Sequence, residues 1–159
     1  MRDVSVHPIA IVGAGIAGLT QALSLAKAGF RTSVFESAAV LAPSGAGLQL
    51  SPNAISVLKQ LGLDELLETH AVRSSSVSLR AAKTDRLIAS VPVGSPDEGY
   101  LALHRADLQA VLLKAAEANE RISVHLGHKL CALRQNDDAV TLEFEVDRAS
   151  TLHVETDMV

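Results

Sequence analysis

The spacing of apolar residues predicts alternating strands and helices from the start of the chain. The continuous apolar run at residues 9–12 is typical of a strand that is buried on both faces. Residues 16–28 carry apolar side chains at helical spacing, and Gly29 follows where a glycine commonly caps a helix. Residues 32–36 then predict a second, parallel strand, because a strand, a helix and a strand in this order form a right-handed crossover.

The same alternation continues to the C-terminus and predicts the α/β class. Further helices are predicted at 52–61, 64–70 and 105–119, and further strands at 76–80, 86–90, 100–103, 122–126, 129–134, 139–146 and 151–155. Polar turn residues separate the last three strands, which indicates a β-meander. We therefore expect one Rossmann-like domain over residues 1–159, in which a βαβ unit with a parallel sheet is followed by the meander.

Composition and charge narrow the classes of protein. Of the 159 residues, 48% are hydrophobic and the mean hydropathy is +0.25, which excludes a disordered chain. The net charge of −4 and the lack of a basic stripe argue against a nucleic-acid partner or an anionic membrane surface. The sequence shows no apolar run that could span a bilayer and no signal peptide, and its single cysteine excludes a disulfide framework. We expect a cytoplasmic protein.

The most informative motif directly follows the first strand and opens the first helix. It consists of Gly13-Ala14-Gly15-Ile16-Ala17-Gly18. Gly13 permits the tight turn, Gly15 lets the backbone approach a pyrophosphate, and Gly18 lets the helix pack closely on the strand. The free N–H groups and the positive end of the helix dipole would then face the phosphates.

An acidic residue completes this unit. Glu36 ends the second strand, 18 residues after Gly18, where a carboxylate accepts hydrogen bonds from the ribose hydroxyls of an adenosine. The same carboxylate would repel a 2′-phosphate. We therefore favour a dinucleotide site over the alternative, a glycine-rich turn without a ligand. The motif by itself leaves both NAD and FAD open.

Two further segments carry a resemblance to a known family. They are Gly45-Ala46-Gly47-Leu48-Gln49-Leu50-Ser51-Pro52-Asn53-Ala54 and Leu103-His104-Arg105-Ala106-Asp107-Leu108-Gln109. Together with the glycine motif, they resemble the FAD-dependent aromatic hydroxylases, the single-component flavin monooxygenases of the salicylate and 3-hydroxybenzoate hydroxylase type. The resemblance implies FAD as cofactor, NADH or NADPH as co-substrate, O2, and a small aromatic substrate. It also implies an FAD-binding region that contains a three-stranded meander.

The resemblance assigns the adenosine diphosphate end of FAD to the first part of the chain. The glycine motif would hold the pyrophosphate and Glu36 the ribose. Ser37 stands where the family commonly has arginine, so we expect one contact on the adenosine side to be absent. Backbone atoms at Leu130, after the third parallel strand, would meet the adenine.

The flavin end is assigned to the two family segments. Gly45, Ala46 and Gly47 would pass close to the flavin, since small residues let a flat ring lie against the backbone. Gln49 would enter the active-site region. Arg105 would pair with phosphate oxygens near the flavin, and Gln109 is a further cofactor candidate.

The family pattern continues beyond this sequence, and no catalytic residue is identified within it. The chain ends on Met158 and Val159, two apolar residues of what would be a new strand. We therefore expect the N-terminal part of a longer protein, truncated before its substrate domain, inactive by itself and prone to self-association. Two other functions remain open: a non-catalytic nucleotide-binding remnant, and an NAD-dependent dehydrogenase domain.

The remaining reactive side chains have ordinary structural interpretations. His125 and His128 are three residues apart at a strand end, which does not place them on one face, so no metal site is predicted. Cys131 lies between Leu130 and Leu133 in a predicted strand and is expected in the core rather than as a nucleophile.

Overall fold

The computed structural model of the protein describes residues 8–41, 45, 47–93, 99–136, 139–147, 150–156 and 158–159. The strands in these ranges are β1 (Ile9–Val12), β2 (Thr32–Glu36), β3 (Gly47–Leu50), β4 (Val72–Ser74), β5 (Ser76–Arg80), β6 (Leu87–Pro92), β7 (Tyr100–His104), β8 (Ile122–Leu126), β9 (Lys129–Gln135), β10 (Val140–Asp147) and β11 (Ser150–Thr156). The helices are α1 (Ile16–Lys27), α2 (Pro52–Gln60), α3 (Asp64–His70) and α4 (Arg105–Glu117). In the described part of the chain, no helix is long and apolar enough to cross a membrane.

The chain divides into two compact units, and the first combines its two ends, residues 1–43 and 109–159. A parallel sheet of order β1-β2-β8 forms here, and β9, β10 and β11 form an antiparallel meander with β10 in the centre. Because side chains alternate along a strand, Val34 and Phe35 point to opposite faces of the parallel sheet, and both are buried. Phe35 stacks on Phe144 of the meander, with 4.4 Å between ring centroids. The meander therefore covers one face of the parallel sheet.

The second unit comprises residues 44–108 and is built from antiparallel strands. One sheet has the order β3-β7-β4, and a separate hairpin pairs β5 with β6. Helix α2 begins with Pro52 in its first turn, where the missing N–H costs no hydrogen bond, and Gly62 follows its end at φ +76. Ile55 and Leu58 on the inner face of α2 are buried.

The structure confirms the α/β class, the strand–helix–strand start, and the meander. Of the turn predicted at 136–138, Asp137 and Asp138 lie outside the described residues, while Asn136 and Ala139 are joined by hydrogen bonds. Strands β3 and β4 were not predicted. Both are short and pair with β7, so their conformation depends on a partner distant in sequence.

Two expectations about single residues are wrong. Cys131 is exposed rather than part of the core, because Leu130 turns inward on β9 and the next side chain must point outward. His125 and His128 do lie together, with 5.5 Å between their ring centroids. Gly127 adopts φ +71 between them, and this left-handed conformation folds His128 back beside the strand.

Candidate functional site

The glycine-rich turn has two glycines with contrasting surroundings. A methyl group on Gly18 would lie 2.0 Å from the Gly13 carbonyl oxygen, so only glycine lets α1 pack this closely on the turn. A methyl group on Gly15 would meet no described heavy atom within 4 Å. Gly13 itself adopts φ +102 and donates its N–H to the Phe35 carbonyl at 2.7 Å. The turn is thus closely packed against Gly18 and leaves open space at Gly15.

Helix α1 begins at this opening with its N–H groups available. Gly15 is the N-cap residue, extended at φ −76 and ψ 179, and it has no side chain that could satisfy the first turn. The first turn contains no acidic residue either. Unsatisfied N–H groups and the positive end of the dipole make such a helix start favourable for an anion such as phosphate.

Glu36, at the end of β2, reaches back to the same turn. Its Oε2 accepts the Ala14 N–H at 2.9 Å, and its Oε1 accepts the Ala38 N–H at 2.9 Å and the Ser37 hydroxyl at 3.0 Å. Partial burial raises the pKa of the Glu36 carboxyl, but the hydrogen bonds from Ala38, Ala14 and Ser37 together lower it more, so its pKa lies below the ordinary 4.5. The group is therefore an ionised acceptor at neutral pH.

The lone pairs of this carboxylate decide what else it can bind. An ionised carboxylate only accepts hydrogen bonds, so any further partner of Glu36 must be a donor such as a hydroxyl group. The sequence predicts Glu36 as a ribose acceptor, but it did not indicate that Glu36 also holds the glycine-rich turn through its bond to the Ala14 N–H.

Gln109 on α4 also contacts the turn. Its side-chain Nε2 donates to the Ala14 carbonyl oxygen at 2.8 Å across 95 residues of sequence. The structure thus brings Ala14, Glu36 and Gln109 together. Proximity of Gln109 to this turn could not be read from the sequence, because nothing in the spacing of α4 indicates which loop it approaches.

Four of the predicted flavin-side residues lie in the second unit. Gly45 adopts φ +130, and a methyl group there would lie 3.2 Å from side-chain atoms of Arg105, so this glycine lets the arginine stem pass closely. Gly47 and Gln49 lie on β3 opposite His104 and Ala102 of β7, and both are exposed. Arg105 opens α4 and is exposed, with no hydrogen bond or ion pair to any described residue. Ala46 lies outside the described residues.

An aromatic cluster of Phe35, His125, His128 and Phe144 lies at the carboxyl ends of β2 and β8 in the first unit. His125 stacks on Phe35 at 4.9 Å between centroids, and the His128 N–H donates to the Glu36 carbonyl at 2.7 Å. Burial, and secondarily the neighbouring His128, lower the pKa of His125 below the ordinary 6.5. Leu130 packs on the core beside this cluster. Among the described residues, no group of three or more His, Cys, Asp or Glu side chains could hold a metal ion.

A tight glycine turn, an open helix start and an acid at the next strand end are features of dinucleotide-binding sites. The sequence profile of the FAD binding domain matches residues 6–157. The chain belongs to the FAD binding domain family. The predicted resemblance to the FAD-dependent aromatic hydroxylases is therefore confirmed at the level of the family.

Curated relatives of this FAD-binding chain are aromatic monooxygenases. It is 40% identical to 3-amino-4-hydroxybenzoate 2-monooxygenase of Streptomyces cremeus over 148 residues, which cover 90% of this chain and 36% of that protein. It is 36% identical to 3-hydroxybenzoate 6-hydroxylase 1 of Aquipseudomonas alcaligenes, covering 91% of this chain and 36% of that protein. The chain thus spans about a third of the length of these relatives.

Solved structures show the same fold. The p-nitrophenol 4-monooxygenase PnpA from Pseudomonas putida DLL-E4 superposes with a TM-score of 0.86 at 25% identity, covering 96% of this chain and 39% of that one. The flavin-dependent monooxygenase PieE, whose crystal structure contains FAD and substrate, superposes with a TM-score of 0.83 at 22% identity. That match covers 99% of this chain and 30% of PieE.

Proposed function

We propose that this chain is the FAD-binding part of an NAD(P)H- and O2-dependent flavin monooxygenase that hydroxylates a small aromatic compound of the hydroxybenzoate type. The family match and the names of the curated relatives support the class of enzyme and of substrate. The whole domain, residues 1–159, is assigned to FAD binding. When bound, FAD supplies electron transfer from the nicotinamide and activation of oxygen.

The observation that carries this proposal is the opening at Gly15. No described atom fills the space that a side chain would take there, and the N–H groups of the first turn of α1 lack a side-chain cap. A pyrophosphate suits this opening, because its negative charge interacts favourably with the helix dipole and its oxygens accept hydrogen bonds from several N–H groups at once. Gly13, Ala14, Gly15, Ile16, Ala17 and Gly18 are the residues assigned to it.

The adenosine side is assigned to the residues around Glu36. The Glu36 carboxylate would accept a ribose hydroxyl, with the Ser37 hydroxyl donating to its Oε1. The backbone at Leu130 is assigned to the adenine. These assignments follow the family resemblance and are supported by the geometry of Glu36.

The flavin side is assigned to the second unit. The exposed guanidinium of Arg105, which pairs with no described residue, suits a phosphate oxygen of the cofactor. Gly45, Ala46 and Gly47 are assigned to the flavin ring, Gln49 to the edge of the active site, and Gln109 to the cofactor region. Catalytic residues are not assigned. We further propose a cytoplasmic location and a chain that needs additional sequence to hydroxylate its substrate.

Titration of the purified chain with FAD and with NAD+ tests this proposal. We expect FAD to bind and Gly15→Val to abolish binding, because its branched side chain fills the opening. The fold should persist, with a change in unfolding free energy of less than about 1 kcal/mol, since the extended backbone at Gly15 accepts any residue. Ala28→Val, which also introduces a valine side chain but at the far end of α1, is the matched control and should bind FAD normally.

Three outcomes would contradict the proposal. Retention of stoichiometric FAD by Gly15→Val would show that the cofactor does not use this opening. Binding of NAD+ without FAD would favour an NAD-dependent dehydrogenase domain. A folded chain that binds neither nucleotide would favour the remaining alternative, a glycine-rich turn without a ligand.

A further inference from the structure

Ala14, in the middle of the glycine-rich turn, is held on both sides by side chains from distant elements. Its N–H is donated to Glu36 Oε2 at 2.9 Å, and its carbonyl oxygen accepts from Gln109 Nε2 at 2.8 Å. The residue is 0% exposed, so water cannot replace either partner. Two consecutive peptide groups are therefore fixed by one carboxylate and one amide.

The second of these peptide groups leads into Gly15, where the space for a side chain is open. A peptide unit is planar and trans, so its carbonyl oxygen and the following N–H point in opposite directions. The Ala14 carbonyl and the Gly15 N–H belong to the same unit. When Gln109 holds the Ala14 oxygen, it also fixes the direction of the Gly15 N–H, which lies on the side away from Gln109.

We propose that Gln109 is a positioning residue that sets the affinity for the pyrophosphate by orienting the Ala14–Gly15 peptide group. This inference rests on the proposed function and revises the role of Gln109, from a ligand of the cofactor to a support of the turn. Glu36 orients the preceding peptide group in the same way. The turn is already oriented before the ligand binds, so the free energy of binding is not reduced by the entropy cost of ordering the turn.

The proposal predicts that ligand affinity depends on a hydrogen-bond donor at position 109, because only a donor can bind the Ala14 carbonyl oxygen. Leucine has a similar size and no donor. Glutamate has the same length and donates only when it is protonated, while its ionised form would repel the Ala14 carbonyl.

The experiment measures the affinity of the purified chain for ADP and for FAD by calorimetry, in the wild type and in three variants. Gln109→Leu should weaken ADP and FAD binding about tenfold, the upper range for one neutral hydrogen bond. Gln21→Leu, the same change on the exposed face of α1, should leave both affinities within about twofold. Gln109→Glu should weaken binding at pH 8 at least as much as Gln109→Leu, because its carboxylate repels the Ala14 carbonyl. That repulsion raises the pKa of the new carboxyl, so part of the affinity should return as the pH falls to about 5.5. The pKa of Glu36 lies below 4.5, so Glu36 stays ionised over this range and the wild type supplies the baseline.

Several results would overturn the positioning role. If Gln109→Leu binds ADP as the wild type does, the Ala14 bond does not govern the pyrophosphate site. If it weakens FAD and leaves ADP unchanged, Gln109 touches the flavin half directly. If Gln109→Glu follows the pH profile of the wild type, no donor is required. A wild-type chain that binds neither ADP nor FAD contradicts the proposed function itself, and this inference with it.

Discussion

The two units of the chain differ in the side-chain hydrogen bonds that hold them together. In the first, hydrogen bonds join residues far apart in sequence: Gln109 to Ala14 across 95 residues and the Thr156 hydroxyl to the Pro8 carbonyl across 148. In the second, the bonds of Arg80 with Asp85 and of Arg73 with Glu68 each span five residues. The first unit therefore fixes its turn through its tertiary structure, whereas these bonds of the second unit stabilise local segments only.

The two units also differ in the exposure of their apolar side chains. The first unit buries Phe35, Leu142 and Phe144 in one continuous cluster. The β5–β6 hairpin of the second unit leaves Val77 51% and Leu79 59% exposed. A two-stranded sheet is at best marginally stable alone. The first unit therefore has a continuous buried core, while the hairpin leaves apolar side chains exposed.

The largest effect is expected at the tightest point of the first unit. Gly18→Ala places a methyl group 2.0 Å from a backbone oxygen, so the helix or the turn must shift. We expect a loss of about 3 kcal/mol in unfolding free energy, measured by urea denaturation. Gly15→Ala is the control in the same turn and should unfold within about 1 kcal/mol of the wild type. Equal stabilities of the two variants would contradict the close packing of α1 on the turn.

The second unit supplies the next prediction, self-association of the chain through the hairpin. Val77 and Leu79 share one face of β5, with Val91 opposite Val77 on β6, and a second copy could cover this apolar face. Leu79→Lys should weaken association about tenfold, measured by sedimentation equilibrium. Ser78→Lys adds the same charge on the opposite face and should leave association unchanged. A monomeric wild type, or equal effects of the two lysines, would contradict this contact.

The part of the fold that could be predicted from sequence is the part set by local patterns. Residues 9–36 combine an apolar run, a helical period and a glycine motif, and each depends on neighbours within a few turns. Strand β4, only three residues long, has too few positions to show a period and forms because Tyr100 and its neighbours on β7 offer a partner. Cys131 was misplaced because apolar neighbours were counted without their alternation along β9.

The chemical environment of the site was less predictable than its location. Glu36 and the glycine motif follow from spacing, but the bonds to Ala14 require the folded positions of β2 and α4. The contact of His125 with His128 depends on the left-handed conformation of Gly127, which the sequence permits without requiring. Assignment of the flavin side to Arg105 and its neighbours remains a prediction from resemblance.

We expect the aromatic cluster to make the stability of the first unit pH-dependent. The unfolded chain protonates His125 near pH 6.5, while burial and the neighbouring His128 lower its pKa in the folded chain. The unfolded state therefore binds more protons as the pH falls below 6.5, so stability is full above that value and decreases below it. His125→Phe keeps an aromatic ring beside Phe35 and should reduce this loss between pH 7.5 and 5.5, measured by urea denaturation. His153→Phe, on an exposed position of β11, should leave the pH dependence as in the wild type.

The smallest effect concerns a buried hydroxyl in the same sheet. Thr32 on β2 is 1% exposed, and its Oγ1 has no hydrogen-bond partner in the described structure. Burying an unpaired hydroxyl is unfavourable, and valine has nearly the same shape without that group. Thr32→Val should therefore raise the unfolding free energy by about 1 kcal/mol. Thr156→Val is the control and should lower the unfolding free energy, because the Thr156 hydroxyl donates to the Pro8 carbonyl at 2.8 Å. Destabilisation by Thr32→Val would mean that Oγ1 has a partner after all, and the first unit would then be more fully hydrogen-bonded than its described contacts indicate.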